Sequence, residues 1–197
     1  MIDGPGLARI LAVIDERNAA DPRSLTVGGV TGPRELVAGR RACEWLLRLD
    51  PDAGPVQLVA ARGHHLERWT FPRDAYPEGR AGYLRWRTEA KKAHAAEVGR
   101  ILRGEGASED EVAAAGRIIR KEGLGQDEAA QAHEDALCLV FLESQFDETT
   151  SLVGDEKMVT VLARTLRKMS PAAAELASTV PLSETSKALL ARAVEIV

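Results

Sequence analysis

Apolar residues recur at steps of three and four along most of the chain, and short polar segments rich in glycine and proline interrupt them. This spacing is typical of amphipathic helices. We therefore expect an all-α fold of about eight helices, beginning near residues 7, 33, 55, 80, 110, 128, 155 and 184. No segment has the alternating pattern of a strand. The glycine-rich stretch 27–30 and the breaker-rich stretch 71–79 are expected to be loops.

Length and composition indicate a single compact domain over 1–197. A net charge of −4 with 28% charged residues gives no reason to expect nucleic acid as a partner. No apolar run approaches the roughly 20 residues that a membrane span needs. Cys43 and Cys138 lack the spacing of a metal or redox motif and are expected to be reduced thiols. We expect a cytoplasmic protein that does not act at a membrane, and the sequence leaves its oligomeric state open.

Three of the four histidines lie in two short segments, 61–69 and 91–94. Polar groups that enter an apolar core are costly unless they are paired or bind a metal, so these segments are candidates for a functional site. Adjacent helical residues point about 100° apart, and one ion therefore takes both His64 and His65 only where the helix ends. We interpret His65 as a metal ligand and His64 as a catalytic or substrate-contacting group. The alternative is that both rings interact with Glu67 and the helix dipole.

His94 shares a helix face with Arg87 and Lys91, because these positions follow steps of three and four. The face is cationic before His94 and apolar after it. We expect His94 to bind the metal, and Arg87 and Lys91 to bind an anion beside it. The alternative is a histidine that only completes a buried hydrogen bond.

The segment 134–142 begins with two carboxylates and continues as an almost wholly apolar helix. Asp135 shares the apolar side of that helix with Leu139 and is the next expected metal ligand. Its competing interpretation is a carboxylate stabilised by the helix dipole. Glu134 is a candidate general base if it turns inward, and His133 is expected at the surface.

The helix that begins near residue 33 offers a further ligand. Glu35 lies on its apolar face, whereas Glu44 lies nearly opposite, and we name Glu35 as the ligand while leaving Glu44 open. Arg40 and Arg41 are candidates for binding an anionic substrate, with pairing to Glu44 as the alternative.

Five of the eight aromatic residues lie between positions 69 and 86, among several arginines that include Arg68. Large side chains pin a loop to a core at little entropic cost. A wall of a binding pocket is the other interpretation, and in it Arg68 contacts the substrate.

The order of these elements resembles the HD-domain superfamily of metal-dependent phosphohydrolases, which are all-α. Glu35, the pair His64 and His65, and Asp135 stand where that superfamily carries a histidine, a His-Asp pair and a late aspartate, and His94 matches an additional histidine of some members. Two positions depart from the pattern, since Glu35 is not a histidine and His-Asp has become His-His. The resemblance implies an HD-like helical domain with a divalent metal.

A closer resemblance extends over nearly the whole chain. The segments 35–46, 65–69, 76–87 and 134–143 are similar to the family called domain of unknown function 4202. This resemblance implies membership of a family but no activity.

Together these features predict a metal-dependent hydrolase that acts on a small phosphorylated or otherwise anionic molecule. Ligands of mixed nitrogen and oxygen type favour Mn, Fe, Co or Zn over Mg. The alternative is a non-catalytic module that binds an anionic ligand or partner, with structural histidines.

Overall fold

The computed structural model describes all 197 residues, which form helices and one short β-hairpin. The strands are β1 (Ser24–Val27) and β2 (Val30–Pro33). The helices are α1 (Gly4–Asn18), α2 (Arg34–Leu49), α3 (Pro55–Gly63), α4 (Gly79–Gly104), α5 (Glu109–Arg120), α6 (Glu128–Ser144), α7 (Phe146–Val153), α8 (Asp155–Leu166), α9 (Pro171–Ala177) and α10 (Glu184–Val194). Two single 3₁₀ turns, Arg68–Thr70 and Arg73–Ala75, lie in the loop predicted at 71–79 and just before it.

The mainly helical prediction is confirmed, but ten α-helices replace the predicted eight. α7 was missed, because it has only eight residues and follows α6 after the single residue Gln145. α9 has only seven residues, too few to produce a recognisable period. Its start is nevertheless marked by an N-cap, because the Ser170 side chain accepts a hydrogen bond from the Ala173 amide.

The glycine-rich stretch predicted as a loop forms the turn of the hairpin at Gly28 and Gly29, whereas the expectation that no segment forms a strand was wrong. The strands pair antiparallel with Val27 opposite Val30, and Gly28 and Gly29 have φ of 57° and 79°. A two-residue hairpin turn of type I′ has positive φ at both central positions, which glycine adopts without strain. Strands of four residues are too short to show clear alternation, although Val27 is buried against the core.

The buried side chains form two hydrophobic clusters. The larger, of 22 residues, is built mainly by α2, α6, α8 and α10, and the smaller, of 14 residues, by α1, α3, α4 and α5. α3 contributes to both, since Ala61 belongs to the larger cluster and Val59 and Ala60 to the smaller one. The residues that follow α3 therefore lie where the two clusters meet.

α4 is the longest helix, with 26 residues. Neither it nor any other helix combines the length and hydrophobicity that a membrane span requires.

Candidate metal and anion site

All four histidines of the chain converge at the junction of the two hydrophobic clusters. The ring centroids of His64 and His65 are 4.1 Å apart, those of His65 and His94 are 5.7 Å apart, and those of His64 and His133 are 6.2 Å apart. They come from three elements, because His64 and His65 follow α3, His94 lies on α4 and His133 lies on α6. Residues remote in sequence thus build one imidazole cluster.

The end of α3 explains how two adjacent histidines share this cluster. The helix stops at Gly63, and the Leu66 amide donates to the Gly63 carbonyl at 3.0 Å in the turn that follows. Glu67 then adopts left-handed backbone with φ of 52°. A Cβ at Gly63 would lie 2.6 Å from Val98 Cγ2, so glycine permits α3 to end directly against α4. Because the helix ends here, the two rings lie side by side, with centroids 4.1 Å apart, although successive residues of a regular helix point about 100° apart.

Glu35, His64 and His65 are grouped closely enough to hold a metal ion. Each offers one ligand atom, and these atoms lie within 4.8 Å of one another. The Glu35 carboxylate is oriented by Arg23, whose Nη2 donates to Oε1 at 2.9 Å, while Oε2 lies 3.3 Å from His65 Nδ1. Glu44 is exposed and pairs with Arg41, so of the two candidate glutamates only Glu35 lies with the histidines.

Backbone carbonyls fix the tautomers of two rings. His64 Nδ1 lies 2.9 Å from the Ala61 carbonyl, and His94 Nδ1 lies 2.9 Å from the Leu66 carbonyl. A carbonyl only accepts, so Nδ1 carries the proton in both rings and Nε2 carries the lone pair. Metal-binding histidines usually have this arrangement. The Nε2 atom of His94 is buried and has no partner within the protein.

His133 is buried with 1% of its surface exposed, so its predicted surface position was wrong. Neither ring nitrogen has a hydrogen-bond partner. A buried polar group without a partner costs stability, and such groups are rare outside functional sites. The sequence indicated a surface position because His133 stands among polar residues near the start of α6. Its burial depends on the packing of α5 and the loop beyond it against α6.

The histidine cluster is held in its neutral form. Burial, followed by the adjacent imidazoles, lowers the pKa of His64 well below the usual range, and burial with Arg68 does the same for His65. Burial and Arg68 lower the pKa of His94 to about 4. Burial and Lys121 lower the pKa of His133 to about 3. Neutral imidazoles are the form that binds metals and accepts protons.

The rings border a cavity of about 320 Å³ whose walls are strongly cationic. Its charged lining consists of one carboxylate, Glu134, and five cations, Arg68, Arg87, Lys91, Lys121 and Lys168. Glu134 is bound by two of the three lysines: Lys121 contacts its Oε2, and Lys168 Nζ lies 2.6 Å from its Oε1. Burial opposes its ionisation, but these two ammonium groups outweigh burial and lower the Glu134 pKa to about 2. Glu134 thus faces the cavity, which was the condition for its predicted role as general base, but it is a paired anion rather than a free base.

The other three cations of the cavity have no carboxylate partner. The Arg68 guanidinium lies 4.6 Å from the Trp86 ring centroid, and that of Arg87 lies 5.7 Å from the Tyr83 centroid. Lys91 Nζ contacts only the Arg120 carbonyl, at 3.3 Å. Of the five aromatic residues between positions 69 and 86, Tyr83 alone lines the cavity.

Three residues expected in the site lie elsewhere. Asp135 points away from the histidines, and its Oδ1 accepts from Gln131 Nε2 at 2.9 Å and from the Ser170 amide at 3.0 Å. Arg40 pairs with Asp15 at 2.8 Å. Arg41 binds Glu143 at 2.6 Å and stacks on Trp45. The apolar face of α6 that Asp135 shares packs into the larger hydrophobic cluster, whereas the cavity lies on the face of Glu134 and Cys138.

Lys121 and Lys168 were not identified from the sequence. Lys121 caps the end of α5 in left-handed conformation, with φ of 61°, and Lys168 follows the last turn of α8. Neither belongs to a motif, and a lysine after a helix is ordinarily explained by the helix dipole. Only the packing of α5 and α8 around α6 reveals them.

A family model described as Domain of unknown function (DUF4202) matches residues 8–190. The chain belongs to the DUF4202 family. No curated protein and no solved structure gives a significant match. The resemblance of this DUF4202 chain to the HD-domain superfamily is therefore not confirmed.

Proposed function

We propose that this protein is a metal-dependent hydrolase that acts on a small phosphorylated molecule. The observation that carries the proposal is the adjacency of a Glu-His-His cluster and a cavity with five cationic side chains. Such a cavity attracts anions although the whole chain carries a net charge of −4. Its volume of about 320 Å³ lies at the lower end of the range for small-molecule sites.

Glu35, His64 and His65 would hold the ion, and their mixed oxygen and nitrogen donors suit Mn, Fe, Co or Zn. A bound ion of this kind lowers the pKa of a coordinated water toward neutrality. Arg23 holds the Glu35 carboxylate in place, and the Ala61 carbonyl holds the His64 ring, so the chain supplies the supporting contacts that metal ligands need.

The remaining groups of the cavity suit phosphoryl transfer to water. The oxygen of water forms a bond to phosphorus, the bond from phosphorus to the leaving oxygen breaks, and the proton released by water passes to a base. The unpaired Nε2 of His94 and the one unprotonated nitrogen of the neutral His133 ring are acceptors for that proton. Arg68, Arg87 and Lys91 would bind the phosphoryl oxygens and offset the charge that develops on them.

The first experiment is elemental analysis of protein purified without chelator or histidine tag. We expect about one equivalent of a transition metal in the natural protein and a loss of at least tenfold in occupancy for His65→Ala. Asp135→Asn is the matched control, because Asn keeps the oxygen that accepts from Gln131 and Ser170 while removing a charge outside the cluster. Metal content unchanged in His65→Ala would refute the metal site.

A second function is favoured by one observation. The cavity contains cations without an acidic partner, and these could bind an anion even if no metal were present. In this alternative the protein binds an anion without catalysis, and the histidines only hydrogen-bond to it. Thermal unfolding separates the two, since any ligand that binds only the folded state raises the melting temperature. A metal enzyme is stabilised by Mn or Zn and loses this gain with chelator, whereas a binding module responds to phosphate alone.

A further inference from the structure

The charge balance of the cavity narrows the chemistry of its ligand, and this inference rests on the proposed function because it concerns the same site. The five cations of the lining exceed its single carboxylate by four positive charges. Outside the lining, Glu35 shares Arg23 with Asp21, so these three groups add one negative charge and leave an excess of three positive charges. Arg87 is exposed, but Arg68, Lys91, Lys121 and Lys168 are partly buried, and a bound anion would offset the cost of removing their charges from water.

One phosphate group does not satisfy this excess. A divalent ion at Glu35, His64 and His65 would already be offset by a single phosphate dianion, and the cationic wall would remain unmatched. The wall also has two parts. Lys121 and Lys168 share Glu134, whereas Arg68, Arg87 and Lys91 have no acidic partner.

The unpaired cations are arranged to receive a second anionic group. Arg87 and Lys91 are one turn apart on the same face of α4, which brings their side chains within reach of one ligand. The Arg68 guanidinium stacks on Trp86, one residue before Arg87 on that helix. Guanidinium and ammonium groups are the usual partners of phosphoryl oxygens.

We propose that the ligand of this cavity carries two phosphoryl groups joined as a diphosphate. One group would lie beside the Glu35, His64 and His65 cluster, and the other would contact Arg68, Arg87 and Lys91. The volume of about 320 Å³ restricts the rest of the ligand to a compact group.

The test compares two anions by isothermal titration calorimetry on chelator-treated protein in a sulfonate buffer. The probes are inorganic phosphate and methylenediphosphonate, whose P–C–P bridge cannot be hydrolysed. We expect methylenediphosphonate to bind at least tenfold more tightly than phosphate. Equal affinities for the two anions would overturn the proposal.

Two neighbouring lysines provide a matched pair of variants. Lys91→Met should weaken diphosphonate binding at least tenfold, because Lys91 lines the cavity. Lys92→Met removes the same charge from the same helix, but Lys92 is exposed and pairs with Glu89, so its affinity should stay within twofold of the natural protein. Arg87→Gln, at an exposed position of α4, is a second variant that cannot fail through misfolding of the core. Equal effects of Lys91→Met and Lys92→Met would reduce the binding to general electrostatics and refute the proposal.

These outcomes separate this inference from the proposed function. Tight diphosphonate binding by a protein that takes up no metal would support the diphosphate ligand and refute the hydrolase. Metal uptake and hydrolysis of monophosphates, with no preference for diphosphonate, would support the hydrolase and refute the diphosphate ligand.

Discussion

At the scale of single residues, the histidines differ in whether a backbone carbonyl accepts a hydrogen bond from the ring. His64 and His94 each donate Nδ1–H to a carbonyl of the segment 61–66, which fixes the ring and leaves Nε2 free to bind. His133 has no such contact although it is the most buried of the four. A group of this kind lowers stability, and a ligand or water that enters the cavity would complete its hydrogen bonds.

We therefore expect His133→Leu to stabilise the chelator-treated protein by about 1 kcal/mol, since it removes a buried polar group that has no partner. The same variant should weaken phosphate binding. His94→Leu is the control and should destabilise, because it leaves the buried Leu66 carbonyl without its donor. Urea unfolding measures both effects. A loss of stability in His133→Leu as large as that in His94→Leu would contradict this role.

The neighbours Glu134 and Asp135 show where prediction from sequence reached its limit. That carboxylates enter the core at the start of α6 was predictable, and both are 2% exposed. Which of them faces the cavity was not, because two faces of α6 are covered, one by the larger hydrophobic cluster and one by the histidines and lysines. Helical periodicity identifies a buried face but does not tell which neighbour lies against it.

At the scale of elements, the site depends on how closely α2 approaches α3. Gly39 on α2 is the contact, since a Cβ there would lie 2.5 Å from the Arg62 carbonyl oxygen. One turn before Gly39, α2 carries Glu35, and two residues after Arg62, α3 gives way to His64 and His65. The sequence placed Glu35 on α2 and the two histidines near the end of α3, but the crossing that joins them depends on a glycine with no sequence signature.

Gly39→Ala is expected to destabilise the protein by about 1–3 kcal/mol, because the methyl group forces α2 and α3 apart. It should also lower metal occupancy by moving Glu35 away from the histidines. Gly104→Ala, near the end of α4, is the matched control. No atom lies within 4 Å of its Cβ position, and alanine should stabilise by about 0.5–1 kcal/mol through helix propensity. Urea unfolding and metal analysis of both variants test the expectation, and metal occupancy equal to that of Gly104→Ala would contradict it.

At the scale of the whole molecule, the histidine cluster couples proton binding to folding. His64, His94 and His133 are buried, whereas His65 keeps 36% of its side chain exposed and contributes less. Charged groups face these rings from several elements, with the cations Arg68 and Lys121 opposing protonation and the carboxylates Glu35 and Glu134 favouring it. Burial is the largest influence on all three buried rings, and each remains neutral in the folded state at pH values where the unfolded chain is protonated.

Stability is consequently expected to fall as the pH decreases from 7 to 5. Because the folded-state pKa values are lowered, the unfolded chain takes up protons below its ordinary histidine pKa of about 6.5 and the folded chain does not. Each buried histidine then contributes up to about 1.4 kcal/mol per pH unit. The carboxylate Glu134, whose folded pKa is about 2, adds its own loss only below its unfolded value near pH 4.5. Urea unfolding at pH 7, 6 and 5 in chelator isolates the histidines, and His133→Leu should reduce the slope by about one proton. An unfolding free energy that is the same at pH 7 and pH 5 would mean that the cluster titrates like exposed histidine.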